Sequence, residues 1–208
     1  MTERGGISQP MLRRFRAVSN RSMRRAGETL TALLGHPVRL EVSHIQTVAV
    51  GNLPDLAAEA AAEELAGLRF QITGEAGGEM VLLLPRPTIC KILQVLLRRG
   101  EDARPLSVEE RSAIQEVGNV LASSFLNEMG DLLGKRLLPS PPEFHLEDIP
   151  QLIQQVMETV KDQGSEVLVV QGLFEDPEQE ITGRFFVLPE MASLLAMIRE
   201  AGDGGPRR

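Results

Sequence analysis

A chain of 208 residues with 42% hydrophobic and 25% charged side chains is long enough to bury a sizeable core, as one domain or as two closely packed halves. It lacks Trp and Tyr and has seven Phe, so that core must be aliphatic. The net charge of −7 argues against a general nucleic-acid or membrane-surface binder. Cys90 is the only cysteine, which excludes an intramolecular disulfide. In the apolar-rich TICKILQVLL it reads as a small core residue rather than a reactive thiol. No apolar run approaches the roughly 20 residues of a membrane span, and MTERGGISQP lacks an apolar signal core. A cytoplasmic location without membrane insertion is expected.

Pro10 and Gly35 bracket a first helix over about 10–34, since proline suits a first helical turn and glycine the residue beyond the last. VRLEVSHIQTVAV (38–50) alternates like a strand, and LPDLAAEAAAEELAG (53–67) is Ala/Glu-rich and at least partly helical. LRFQITGEAGGEMVLLL (68–84) reads as a hairpin, and RPTICKILQVLLRRG (86–100) as a helix closed by Gly100. EDARP then links to a second half. There Ser107 and Glu110 form a capping box, with Leu106 placed as a staple residue, and open a helix running to Gly134. KRLLPSPPEFHL is extended, DIPQLIQQVMETVKDQG is helical, EVLVVQGLFEDPEQEITGRFFVL is a second hairpin, and PEMASLLAMIREAG is a closing helix. The tail 202–208 is expected to be disordered.

The second half restates the first. ALLGHPVRL at 32–40 lies against DLLGKRLLP at 131–139, an offset of 99 residues (134 − 35), and VLLLPRP at 81–87 lies against FFVLPEM at 185–191. An internal duplication follows: one domain of two repeats, 10–100 and 106–201. The expected fold is α/β and pseudo-two-fold, a mostly antiparallel sheet backed by two long helices.

In the second-half helix, Ser112, Glu116 and Asn119 fall within about 60° of one another at 100° per residue, and Ser123 joins them one turn later. Ile114, Val117, Leu121, Phe125 and Leu132 take the opposite side. By periodicity alone the polar group is an ordinary solvated face. Glu128 falls on the apolar side, and periodicity gives no reason for it. At the repeat offset Glu116 corresponds to Ala17, Asn119 to Asn20 and Ser112 to Arg13. One half keeps the polar trio, and the other keeps only its Asn.

These residues resemble the CheC-type phosphatases of bacterial chemotaxis, relatives of CheX and of the phosphatase part of FliY. The family motif is Ser or Asp, three residues, Glu, two residues, Asn, then twenty-one residues and Pro. Ser112, Glu116, Asn119 and Pro141 match it at every position. With 22 Glu and 4 Asn in the chain, a bare E-x-x-N is expected roughly 0.4 times by accident, and the full pattern on the order of 0.002 times. The likeness extends over essentially the whole chain, through the duplicated half, the long helix ending in LLG and the short helix after Leu-Pro. Family members often carry the Glu/Asn pair in both halves; Ala17 and Arg13 remove it from the first, so the resemblance implies one active site, with Asn20 as a vestige of the other. No motor-switch domain of the FliY kind is expected to follow.

The resemblance implies a substrate, a CheY-like response regulator phosphorylated on an aspartate. The regulator supplies the aspartates, the Mg²⁺ and a lysine, so a phosphatase acting on it need only place a water. An amide suits this, because it hydrogen-bonds water without competing for its proton. Asn119 is expected to orient the attacking water and Glu116 to pair with the regulator's lysine, while Ser112 and Pro141 shape the helix turn and the strand entry. No cofactor of the chain's own is expected. His36, His44 and His145 have no metal-ligand spacing to one another or to Cys90, and no phosphate-binding or nucleophile-elbow motif occurs in a matching context. GEAGGEM reads as a hairpin turn. The arginines of MLRRFRAVSNRSMRR suit either a solvated helix face or the steering of an acidic regulator. Two other functions compete with the phosphatase: a non-catalytic regulator-binding module related to flagellar switch proteins, and an adaptor for the receptor deamidase CheD.

Overall fold

Two helices of 26 residues each, α1 (Gln9–Leu34) and α4 (Val108–Leu133), pack side by side on one face of a seven-stranded sheet. The computed structural model describes residues 9–58, 65–98, 105–146, 148–178 and 180–196. The strands are β1 (Arg39–Ala49), β2 (Leu65–Gly74), β3 (Gly78–Pro85), β4 (Leu137–Pro139), β5 (Glu143–Leu146), β6 (Glu166–Asp176) and β7 (Ile181–Pro189). Shorter helices are α2 (Leu53–Ala58), α3 (Arg86–Leu97) and α5 (Ile149–Val160), with a further helical segment at 191–196. Every strand pairing is antiparallel. The mixed α/β class and the two long backing helices are those read from the sequence. The remainder of the Ala/Glu segment at 59–64, Gly100 and the tail fall outside the described residues.

The strand order is β1-β6-β7-β3-β2-β4, with β5 also on β2. Exchanging the halves turns β1 into β4 and β5, β2 into β6 and β3 into β7, and the order then reads the same from either edge. The fold is pseudo-two-fold. Val81 stands opposite Phe186 at the central β3–β7 pair, and both face the apolar cluster under α5. Equivalent residues there are 105 apart (186 − 81). Aligning the two Leu-Pro pairs gives 104 (189 − 85), which turns every side chain onto the wrong face of the sheet. The offset of 99 holds at the edges. β1 slips by one residue against β6 between Val42 and His44. Across β2, the four steps from Pro139 to Glu143 cover only the three from Ile72 to Arg69. The two irregularities thus occupy corresponding places.

Periodicity explains how the helices sit. α1 buries Phe15, Ser19, Ser22, Met23, Ala26, Leu30 and Leu34 at three- and four-residue intervals. α4 does the same with Ile114, Val117, Leu121, Phe125, Met129 and Leu133; Leu132, expected in that stripe, is half-buried beside it. They meet Leu68, Phe70, Met80 and Leu82 of the sheet, each fully buried side chain contributing about 1.5–3 kcal/mol. Phe125 meets Phe185 of β7 edge to face, centroids 5.4 Å apart. α2 and α5 cover the opposite face through Leu53, Leu152, Val156 and Val160. α3 ends at Leu97, with Arg98 left-handed (φ 54) and its N–H donating to the Gln94 carbonyl at 3.0 Å. It therefore stops before Gly100: Leu97 still packs on the core, whereas Arg98 is exposed. Cys90, expected in the core, is only half-buried, on the flank of α3.

Candidate active site

α4 starts firmly. The Ser107 hydroxyl accepts from the Glu110 N–H at 3.3 Å, and the Glu110 carboxylate accepts from the Ser107 N–H at 2.7 Å. Leu106 is half-buried against the core. Gly134 closes the helix with φ +66. Two orphan donors are satisfied at the head, so the first turns are fixed where the motif begins. Ser112 and Glu116 are exposed, and Asn119 and Ser123 are half-buried. The Ser112 hydroxyl donates back to the Val108 carbonyl at 2.9 Å, which commits it to the helix itself. Glu116 and Asn119 carry no side-chain hydrogen bond or ion pair among the described residues, and neither is a buried unsatisfied group. Their polar atoms face solvent, ready to take an outside partner.

Pro141 lies exposed in the link between β4 and β5. That link is tied down on both sides. Gln115, the residue before Glu116, donates from Nε2 to the Pro142 carbonyl at 3.0 Å. Ser140 donates its N–H to the Gln71 carbonyl at 2.8 Å, and its hydroxyl accepts from the Gln71 N–H at 2.9 Å. Pro141 lies 22 positions beyond Asn119 (141 − 119), yet the fold brings the proline link against the motif helix. Gln115 and Ser140 are the residues the sequence reading missed; nothing in the spacing of the motif marks them.

Gly118, between Glu116 and Asn119, faces the sheet. A Cβ there would lie 2.4 Å from Leu68 Cδ1 and 3.1 Å from Phe70 Cζ. The glycine lets α4 settle directly on β2. A cluster on the other face holds β5 to the sheet. Arg69 pairs bidentately with Glu79 (Nη2–Oε1 2.9 Å, Nε–Oε2 3.0 Å), and also donates to Glu143 and to the Thr159 hydroxyl at 3.0 Å each. This joins β2, β3, β5 and α5. Arg69 and Glu79 are buried, so each satisfies the other's charge. Near the start of β4, the Glu75 carboxylate accepts from the Arg136 N–H at 2.7 Å, which lowers its pKa; Lys135 at 3.6 Å adds to this.

In the first half, Arg13, Ala17 and Asn20 are exposed on α1, where the trio stands on α4. Glu128, unexplained by periodicity, reaches across the helix pair to Arg21 at 2.6 Å. Its place on the apolar side is the place facing α1. Among the described residues no group of three or more His, Cys, Asp or Glu is arranged to hold a metal ion, and no helix is long and apolar enough to cross a membrane.

Residues 109–146 match the model of the CheC-like family, a segment that contains Ser112, Glu116, Asn119 and Pro141. The chain is 25% identical over 193 residues to the CheY-P phosphatase CheC of Bacillus subtilis, covering 90% of this chain and 92% of that protein. It is 21% identical over 174 residues to a putative CheY-P phosphatase, CheC1, of Halobacterium salinarum, covering 82% and 86%. The crystal structure of Thermotoga maritima FliY superposes with a TM-score of 0.71 at 20% identity, covering 94% of this chain and 98% of that one, a likeness of fold. In its motif segment, along nearly its whole length and in its fold, the chain is similar to CheC-like proteins.

Proposed function

We propose that this protein hydrolyses the phospho-aspartate of a CheY-like response regulator. Asn119 hydrogen-bonds a water in line with the bond to be broken. The water oxygen attacks phosphorus, the bond to the aspartate oxygen breaks, and the aspartate carboxylate and inorganic phosphate are released. Glu116 pairs with the regulator's lysine and fixes the register of docking. The regulator supplies Mg²⁺, so the chain needs no cofactor. One repeat, 106–201, carries this site, and the other, 10–100, carries its vestige at Asn20.

The observation that carries this reading is the uncommitted state of Glu116 and Asn119, side by side on a helix whose start is capped and whose neighbouring proline link is tethered. The names of the Bacillus and Halobacterium relatives support the same substrate class. The test is the decay of phosphorylated candidate regulators with and without this protein; unchanged decay for every regulator that binds it would remove the catalytic reading. A second reading, a non-catalytic adaptor for the regulator or for CheD, draws on the first half, where Ala17 stands in place of the motif Glu and Arg13 in place of the motif Ser.

A further inference from the structure

We propose that the first half binds an acidic protein segment, in extended conformation, in the groove between α1 and β1. An open groove of about 680 Å³ runs there, lined among others by Ala17, Asn20, Arg21, Arg24, Arg39 and Glu41. It occupies the place of the motif face in the other half, with its charges changed. At the offset of 99, Arg21, Arg24 and Arg39 correspond to Val120, Ser123 and Leu138, so each arginine is particular to the first half. Ala17 stands where Glu116 would repel an acid. The contrast extends along both helices: α1 has six Arg and one Glu, and α4 has one Arg, four Glu and one Asp. In a chain of net charge −7 this is a local reversal of the overall field.

The cations are available. Arg24 and Arg39 are exposed and without a hydrogen bond or ion pair among the described residues. Arg21 holds Glu128, yet its side chain is 61% exposed. Glu28, which also lines the groove, is taken up by Arg25 at 3.0 Å. Glu41 is unpaired and stands two residues from Arg39 on the same side of β1, opposite to Leu40, so the ligand's carboxylates belong chiefly on Arg24, across the groove from that side. The backbone completes the site. β1 is an edge strand that pairs only with β6 among the described residues, which leaves its outer edge open to one more strand. On an added strand alternate side chains point the same way, so acids at every second position line up toward α1 with Arg21 and Arg24, as Leu40 and Val42 do on β1, while Arg39 adds its charge from the other side of the strand. α1 lines the groove from Ala17 to Thr31, about 20 Å at 1.5 Å per residue, which accommodates about six extended residues. The ligand is therefore a short acidic β-strand from a partner protein.

The probe is a fluorescein-labelled hexapeptide alternating Glu and Val, with a Gln/Val analogue as the neutral control, titrated with the full chain by anisotropy. Saturable binding is expected, weakened at least about tenfold by Arg24→Glu with Arg39→Glu, and by the Gln analogue to a similar degree. Arg24→Gln with Arg39→Gln tests the same point without introducing a charge, and circular dichroism confirms that each variant is folded. Dephosphorylation of a regulator by these variants stays within about twofold of wild type, which separates this site from the catalytic one. Equal binding by wild type and variants, equal binding of the two peptides, or no saturation would overturn the proposal. So would capture of phosphatidylserine vesicles through Arg24 and Arg39 with no peptide binding.

Discussion

Replacing Gly118 by Ala tests whether the contact of α4 with β2 positions the site. The added methyl would lie 2.4 Å from Leu68 Cδ1 and 3.1 Å from Phe70 Cζ. Those side chains are 0% and 1% exposed, so neither can swing into solvent. Overpacking of this kind costs about 2–3 kcal/mol, and alanine's better helix propensity returns about 1 kcal/mol. The net destabilisation is about 1–2 kcal/mol, a fall in Tm of about 2–8 °C for a chain of this size. The clash lies between Glu116 and Asn119, so relieving it lifts that turn from the sheet and shifts both side chains against the Pro141 link. A displacement approaching 1 Å lowers turnover by ten- to roughly a hundredfold, well below the melting temperature. The assays are thermal unfolding by circular dichroism and regulator dephosphorylation at a temperature where the variant is fully folded. Ser123→Ala serves as control: it sits on the motif's side of α4, is half-buried, and should stay within about 0.5 kcal/mol of wild type. A Gly118→Ala protein that melts as high as wild type, or higher, would refute the packing argument.

Asn119→Ala should lower kcat by roughly 100-fold, equivalent to about 2.7 kcal/mol, with a smaller change in affinity for the phosphorylated regulator; wild-type turnover by folded, regulator-binding variant protein would exclude Asn119 as the water-positioning group. Glu116→Ala should raise KM and lower kcat together, as steady-state kinetics will show, because docking and register share that contact. Asn20→Ala should leave hydrolysis unchanged; a loss equal to that of Asn119→Ala would show that the first half is catalytic. Glu79→Ala leaves Arg69 charged and buried, and should cost about 3–5 kcal/mol in urea unfolding, while Glu79→Leu with Arg69→Met should recover most of it. The pKa of Glu75 is lowered in the folded state by its bond from the Arg136 N–H, so its stabilisation is complete above the unfolded carboxylate range and fades as pH falls through the folded value. Carboxyl NMR should place its titration below 4.5, and Glu75→Gln should remove that part of the acid-side loss of stability.

Much of the chain was legible because its signals are local. The start of α4 could be read from Ser107 and Glu110, and its end from Gly134, since a capping box and a left-handed glycine act within one turn. Helical geometry converts the interval of three residues between Glu116 and Asn119 into a shared face, but it was the resemblance of the full motif, with Ser112 and Pro141, that marked them out. Gly100 misled because sequence shows where a helix is permitted to stop; burial decides where it does stop, and for α3 that point is Leu97. Glu128 was opaque for the complementary reason: its partner Arg21 is 107 residues away.

The sequence by itself determined the elements, the duplication and the motif, each of which rests on periodicity or on chemistry at fixed intervals. Only the tertiary structure decided how the halves combine. β1 pairs with β6 of the other half, while β4 and β5 pair with β2, so each half completes the other's sheet. Such pairings turn on the fit of distant side chains across a common face, and no local interval encodes them. The same holds for the one-residue difference at Val81 and Phe186, for the Gln115 bond to the proline link, and for Arg69 and Glu79, whose charges are tolerable inside the protein only because the fold sets them opposite each other.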